Sequence, residues 1–175
     1  MGYNGDIMMG FELKRRRLPH WRIPDSLYFL TVRIHPEQSD LTEDEKSRVA
    51  ACLKFFNQTR YDLYAYVVMD DHCHVIVDVF SGYPLGKVTH TWLSFSANEL
   101  QRKCGRSGSL WQREPYDRII RSESDLEEKA RYIIENPWRR NPDLGVYRWV
   151  GAKDWLYGGI LLPDQHIRPD IDVLP

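Results

Sequence analysis

The chain has 175 residues, of which 42% are hydrophobic and 28% are charged, and its formal net charge is −1. This length and composition predict a single globular domain over residues 1–175, and the near-neutral charge argues against indiscriminate binding to nucleic acid. No apolar run approaches the ~18 residues of a membrane helix, and no apolar core of a signal peptide is present. A cytoplasmic protein without membrane contact is therefore expected.

The charged residues are unevenly distributed along the chain. Residues 11–22 contain five lysines or arginines and one glutamate, and residues 102–121 contain six lysines or arginines and two acids. A basic surface that faces a polyanion and an ordinary solvated surface are both consistent with this pattern.

The N-terminal part of the chain leads into a strand and a helix. Residues 1–14 are expected to be flexible, and the alternating pattern of residues 27–34 predicts a first strand. Thr42 and Glu45 form a capping box, behind which a first helix is expected to end near Thr59.

A β-hairpin is predicted for residues 61–80, with its turn at Asp70-Asp71. Alternation places His72 and His74 on one face of the second strand, while Cys73 points with the neighbouring valines into the opposite, core face. On the first strand, alternation places three residues on one face: Leu63, Ala65 and Val67.

A second helix is predicted up to Cys104, where Gly105 ends it. Its inward residues are expected to be Leu85, Val88, Trp92, Phe95 and Leu100. Residues 111–121 should contain a fourth strand with three apolar anchors: Tyr116, Ile119 and Ile120.

A second capping box, Ser124 to Glu127, opens a third helix. This helix is expected to stop at Asn136, because Pro137 disfavours helix at the residue before it. Tyr132 and Asn136 then lie one turn apart on one face.

The order βαββαβ plus one helix predicts an α+β fold: a ferredoxin-like antiparallel four-stranded sheet with an added C-terminal helix. The first two helices are expected to cover the core face of the sheet. His72 and His74 point the other way, so the third helix is expected to cover them.

Together, these residues could bind a metal ion and carry out a reaction on a phosphate. Two imidazoles and the amide oxygen of Asn136 suit Mg²⁺ or Mn²⁺, and Zn²⁺ is also possible. A phosphate oxygen can bind such a cation, and the phenol of Tyr132 can attack its phosphorus to form a phosphotyrosine. In the alternative interpretation the histidine pair is accidental, Tyr132 is a core residue and Asn136 caps its helix.

Six stretches together resemble the REP-associated tyrosine transposases, a group of single-tyrosine HUH transposases. In chain order they are residues 15–22, 28–33, 69–77 (MDDHCHVIV), 110–112, 116–121 and 132–137. The resemblance implies that His72, His74 and Asn136 bind the metal and that Tyr132 is the catalytic nucleophile. Residues 138–175 form an extension that diverges from the family.

The resemblance also implies an activity. Such a protein is a metal-dependent single-stranded DNA endonuclease and strand transferase, which forms a 5′-phosphotyrosine at DNA containing REP-like hairpins. The alternative is a domesticated, non-catalytic hairpin-binding protein. In either case a monomer or homodimer is expected. The intact set of four site residues favours the enzyme.

Several residues are candidates for DNA binding. They are Arg15, Arg16, Arg17, His20, Trp21, Arg22, Arg118 and Arg121. Arg118 and Arg121 can equally pair with Asp117 and Glu123. Trp111 can stack on a base or pack in the core.

One tyrosine competes with Tyr132 for the role of nucleophile. It is Tyr116, although its position in a strand beside Pro115 favours a packing role.

We predict that changing Arg15, Arg16 and Arg17 together to alanine weakens binding to single-stranded DNA. The slope of log affinity against log salt should fall by about one unit for each phosphate that the protein no longer neutralises. The matched triple lysine variant, which keeps the charge, should retain the slope. An unchanged slope in the alanine variant would mean that these arginines are only solvated surface.

Overall fold

A computed structural model describes residues 26–157 and 172–174. Its six strands are β1 (Leu27–Arg33), β2 (Tyr61–Val68), β3 (His72–Val79), β4 (Tyr116–Ile119), β5 (Val150–Lys153) and β6 (Asp172–Leu174). Its four helices are α1 (Glu43–Lys54), α2 (Leu85–Cys104), α3 (Glu123–Arg140) and α4 (Asp154–Tyr157). None of the helices in these two ranges has both the length and the apolarity needed to cross a bilayer.

The strands form one mixed sheet in the order β4-β1-β3-β2-β5-β6. The predicted α+β class is confirmed, and the four predicted strands are antiparallel neighbours in the order β4-β1-β3-β2. The predicted sheet was two strands short, because β5 pairs antiparallel with β2 and β6 pairs parallel with β5. The short Val-Gly-Ala-Lys sequence of β5 carries little intrinsic strand preference, so its pairing depends on the open edge of β2.

Both faces of the central strands are buried. Helices α1 and α2 cover one face, where Cys73 lies with Val75 and Val77 as predicted. Helix α3 covers the other face, where Ile133 and Ile134 pack on the sheet. The central strand β3 therefore contributes alternate residues to two separate cores.

A bulge in β2 changes which residues share a face. Leu63 pairs with Val77 and Ala65 pairs with Ile76, so Tyr64 is an extra residue in β2. Leu63 consequently lies in the α1/α2 core, whereas Ala65 and Val67 lie in the α3 core. The predicted common face of these three residues was wrong, because an inserted residue reverses the alternation beyond it.

The capping box of α1 is confirmed. The Thr42 side chain accepts from the Glu45 amide, and the Thr42 amide donates to Glu45 Oε2 at 2.8 Å. The helix ends at Lys54 rather than near Thr59. Gln58 has a φ of 64°, a left-handed conformation that does not continue a right-handed helix.

Helix α2 ends at Gly105 as predicted, in a left-handed conformation with φ 71°. The predicted burial of Phe95 was wrong, since this side chain is 47% exposed. The buried stripe follows a strict spacing of four residues and consists of Val88, Trp92, Ser96 and Leu100. Ser96 belongs to it because its hydroxyl accepts a hydrogen bond from the buried Trp111 indole at 2.9 Å.

The apolar anchors predicted for the fourth strand are mostly exposed. Tyr116 is 63% exposed and Ile119 is also exposed, whereas Ile120, just beyond β4, is fully buried. Among the described strands, β4 pairs only with β1 and lies at the edge of the sheet, where α3 reaches only its end.

Helix α3 differs from its prediction at both ends. Its N-cap is Ser122, not Ser124, and the Ser122 hydroxyl accepts from the Asp125 amide at 3.1 Å. At the other end the helix continues through Pro137 to Arg140. The buried Trp138 stabilises this last turn, because its indole donates to the carbonyls of Leu144 and Gly145. Tertiary packing here outweighs the local preference imposed by proline.

A buried ion pair joins α1 to the loop after α2. The Arg106 guanidinium donates to both carboxylate oxygens of Glu45, at 2.6 and 2.7 Å, and to the carbonyls of Ser39 and Asp40. The Arg106 bond lowers the pKa of Glu45 from its usual value of 4.5, against the opposing effect of burial.

We predict that Arg106→Ala lowers the free energy of unfolding by about 3 kcal/mol, because it leaves a buried carboxylate unpaired. The lowered Glu45 pKa makes this contribution present above pH 4.5 and progressively lost as the pH falls below it. Urea denaturation at pH 7 and pH 3 measures both effects. The matched variant Arg102→Ala removes an exposed arginine and should change the free energy by less than about 0.5 kcal/mol.

Candidate active site

The two histidines lie on the central strand β3, between β1 and β2. Their ring centroids are 4.7 Å apart. In the register of the sheet, His74 lies opposite Thr31 and His72 lies opposite Arg33 of β1. The strand therefore holds both imidazoles side by side on the face that α3 covers.

His74 is buried, with only 4% of its surface exposed. Its Nδ1 is 2.9 Å from the Thr31 hydroxyl, and its ring stacks on Phe29 with the centroids 5.4 Å apart. Burial, reinforced by the nearby charges of His72 and Arg33, lowers the pKa of His74 to about 3. The imidazole is consequently neutral at physiological pH, which is the form that binds metals.

The second ring nitrogen of His74 has an unusual environment. Nε2 is buried and has no hydrogen-bond partner within the described ranges. In the tautomer that donates from Nδ1 to Thr31, Nε2 keeps a lone pair, and leaving a buried polar atom unsatisfied is costly. Within the described ranges, this lone pair is therefore available to bind a cation.

His72 is oriented by its neighbour in the sequence. Its Nδ1 is 2.8 Å from Asp71 Oδ1, and the same oxygen accepts from Arg140 at 2.6 Å. Partial burial raises the pKa of Asp71, but the hydrogen bonds from Arg140 and His72 outweigh it and lower that pKa to about 2. An ionised Asp71 favours the tautomer protonated on Nδ1, which frees Nε2 of His72.

Tyr132 of α3 lies against the histidines. The centroid of its ring is 5.1 Å from that of His74 and 6.2 Å from that of Phe29. Its side chain is 36% exposed, and the Arg139 guanidinium lies 5.8 Å from its ring centroid. The tyrosine is accordingly both in contact with a histidine and accessible from solvent.

Asn136 lies between two contacts of α3 with the histidine hairpin. Tyr132, Asn136 and Arg140 are spaced by four residues and so share one side of the helix. Tyr132 contacts His74, and Arg140 contacts Asp71 beside His72. The buried Asn136 therefore lies on that side of the helix, between these two points.

The donors at this position fit a divalent cation that prefers nitrogen and oxygen ligands. They are the orphaned Nε2 of His74, the Nε2 of His72 and the amide of Asn136. Across the described residues, no three His, Cys, Asp or Glu side chains form a group that could hold a metal ion. A metal at this site would depend on the asparagine as third ligand, and that role stays a prediction.

The rival tyrosine also lies on the histidine face. Tyr116 of β4 pairs with Thr31 of β1, and Thr31 pairs in turn with His74 of β3. Residues directly opposite each other share a face, and two strand spacings amount to about 10 Å. Tyr116 is thus a second, more distant and more exposed phenol.

The predicted DNA-binding residues have different outcomes. Arg118 pairs with Asp125 at 3.1 Å, rather than with Asp117 or Glu123. The Arg121 side chain is exposed, and the buried Trp111 packs in the core instead of offering a stacking surface. The remaining candidates lie outside the described residues: Arg15, Arg16, Arg17, His20, Trp21 and Arg22.

Several site residues were not predicted. Thr31 and Phe29 contact His74, Asp71 and Arg140 support His72, and Arg33 is an exposed cation beside the histidines. For the β1 residues the sequence predicted only the strand itself, and the register of that strand with β3 was unknown. Asp71 was assigned only to the turn.

Two solved transposase structures are similar to this fold. One is a REP-associated tyrosine transposase bound to a REP hairpin, with a TM-score of 0.56 and 20% identity over 71% of this chain and 74% of that chain. The other is a candidate transposase from Deinococcus radiodurans, with a TM-score of 0.45 and 18% identity over 70% of this chain and 96% of that chain. No protein-family model and no curated protein matches the sequence.

The first similarity shows that this chain has the fold of a REP-associated tyrosine transposase. The resemblance predicted from six short stretches is thereby confirmed at the level of the fold.

We predict that metal-free protein loses stability as the pH falls from about 6.5 to 3. The unfolded chain protonates His74 in this window and the folded chain does not, so His74 alone contributes up to about 1.4 kcal/mol per pH unit to the slope. Urea denaturation of His74→Gln in EDTA should show a shallower dependence. The matched variant of the exposed His90, His90→Gln, should keep the wild-type slope, and equal slopes in all three proteins would contradict the buried neutral state.

Proposed function

We propose that this protein is a metal-dependent single-stranded DNA endonuclease and strand transferase that acts beside DNA hairpins. The observation that carries the proposal is the contact between Tyr132 and the buried His74, whose Nε2 has no partner within the described ranges. A nucleophile candidate and a metal-ligand candidate from distant parts of the sequence thus lie on one face of the sheet.

The proposed reaction is a transesterification. The Tyr132 phenol oxygen attacks the phosphorus and loses its proton to solvent, the bond from phosphorus to the 3′ oxygen breaks, and the 3′ oxygen takes a proton from solvent and leaves as a hydroxyl. A 5′-phosphotyrosine remains, and attack by a 3′-hydroxyl on it rejoins a strand without ATP.

The roles of the other residues follow from this reaction. His72, His74 and Asn136 would hold Mg²⁺ or Mn²⁺, which neutralises charge on the phosphate. Thr31 and Asp71 orient the two imidazoles. Tyr132 is partly exposed at the margin of the α3 core, so a DNA strand could reach it from solvent.

Cations lie around the proposed site. Arg33 is exposed on the strand beside His72, and Arg139 is exposed beside Tyr132. Phosphates of a single strand that passes over Tyr132 would meet both guanidinium groups. A hairpin as the bound form of DNA is proposed from the similar transposase, which was solved with a REP hairpin.

We predict that Tyr132→Phe abolishes the covalent adduct between protein and DNA, because it removes only the nucleophilic oxygen. The substrate is a hairpin oligonucleotide with a single-stranded flank, labelled on the 3′ side of the cut, in Mn²⁺. Binding to the same hairpin should be unchanged, and denaturing gel electrophoresis should show an adduct for wild type but none for Tyr132→Phe.

The matched control is Tyr116→Phe, which removes the second phenol on the histidine face and should leave the adduct yield unchanged. An adduct that persists in Tyr132→Phe and disappears in Tyr116→Phe would transfer the nucleophile role to Tyr116. Hairpin binding by wild type with no adduct under any metal would instead identify a non-catalytic hairpin-binding protein.

A further inference from the structure

One chain of charged contacts links the last turn of α3 to the histidine hairpin. The Arg140 Nη1 donates to Asp71 Oδ1 at 2.6 Å, and the same carboxylate oxygen lies 2.8 Å from Nδ1 of His72. The contacts thus run from a guanidinium through a carboxylate to an imidazole.

Arg140 reaches this carboxylate only because α3 continues beyond Pro137. Arg140 is eight residues after Tyr132 and four after Asn136, so all three side chains project from one side of the helix. Trp138, held by the carbonyls of Leu144 and Gly145, supports the turn that carries Arg140. The helix is thereby attached to the hairpin at both ends of this side.

We propose that Arg140 is a positioning residue, which fixes α3 against the histidine hairpin and acts on His72 through Asp71. This inference rests on the proposed function, since it assigns a role at the same metal site. Asp71 would set the tautomer and ring orientation of His72, and Arg140 would hold the carboxylate in place. The same contact would set the position of Asn136, one turn earlier on the helix.

The neighbouring charges support this division of roles. Asp70, the other turn carboxylate, is paired with the buried Lys46 at 3.0 Å and acts on Arg140 only through the longer-range attraction of its charge. Arg139 pairs with Glu135 on its own helix, so it does not substitute for Arg140 at Asp71. Asp71 thus receives its cationic partner from α3 alone within the described residues.

A purely structural role predicts a different outcome. The side chains of Arg140 and Asp71 are 49% and 40% exposed, and exposed ion pairs add little to the stability of a fold. If the pair serves the metal site, its removal should weaken metal binding strongly and change the melting temperature of the protein little. Metal affinity is therefore the readout that separates the two roles.

The test measures Mn²⁺ binding to the full chain without DNA, by calorimetric titration and by the electron paramagnetic resonance signal of free Mn²⁺. We expect Asp71→Asn and Arg140→Ala each to weaken binding about 10- to 100-fold, as supporting residues around metal ligands do. Arg140→Lys should restore part of the affinity, and Arg102→Ala, which removes an exposed arginine elsewhere, should bind as wild type.

The double variant Asp71→Asn/Arg140→Ala tests whether the two residues act in series. Its Mn²⁺ affinity should equal that of the single variant that binds Mn²⁺ less tightly. If Arg140 acts only through Asp71, its removal has no further effect once Asp71 is changed. Fully multiplied reductions in affinity would mean that the two residues act independently, which would overturn the inference.

Further outcomes distinguish the inference from the proposed function. Unchanged Mn²⁺ affinity in Asp71→Asn and Arg140→Ala, with binding abolished in His72→Ala, would overturn the positioning role and leave the metal site intact. If Asp71→Asn abolished Mn²⁺ binding and Arg140→Ala bound normally, Asp71 would be a direct ligand, and the positioning role of Arg140 would again be overturned. Mn²⁺ binding that survives His72→Ala unchanged would remove the metal site, and both proposals with it.

Discussion

The burial of both faces of β3 is the constraint on which the rest of this structure depends. Helices pack on both sides of this central strand, so most of its residues must fit one of two cores. Cys73 and the valines satisfy this condition on the α1/α2 side. His74 does not satisfy it fully, because it brings an imidazole whose Nε2 has no partner in the described structure.

The cost of that imidazole is limited by its surroundings. Thr31 bonds to one nitrogen, Phe29 and Tyr132 enclose the ring, and burial keeps the group neutral. Packing alone would be served better by a leucine or a phenylalanine, since neither has an unsatisfied polar atom. The remaining cost is concentrated where the proposed chemistry takes place, as expected for a functional site that departs from optimal packing.

Helix α3 connects this constraint to the proposed reaction. It buries the second face of the sheet with Ile133 and Ile134, and the same helix places Tyr132 against His74 and Asn136 one turn later on the same side. A single packing arrangement therefore aligns the nucleophile candidate with the ligand candidates. Continuation of the helix through Pro137 adds the contact between Arg140 and Asp71, which couples the end of the helix to His72.

The sequence by itself determined what local patterns control. Alternation separated His72 and His74 from Cys73, the Thr42 capping box began α1, and Gly105 ended α2, because each signal acts within a few residues. Only the tertiary structure decided the bulge at Tyr64, the passage of α3 through Pro137 and the pairing of β5 with β2. It alone brought Thr31 to His74 and Arg140 to Asp71, since strand register and helix docking join residues 43 and 69 positions apart. Contacts at that separation leave no periodic trace in a single sequence, so the paired histidines could be predicted from the sequence but not the contacts that Thr31 and Arg140 make with the hairpin.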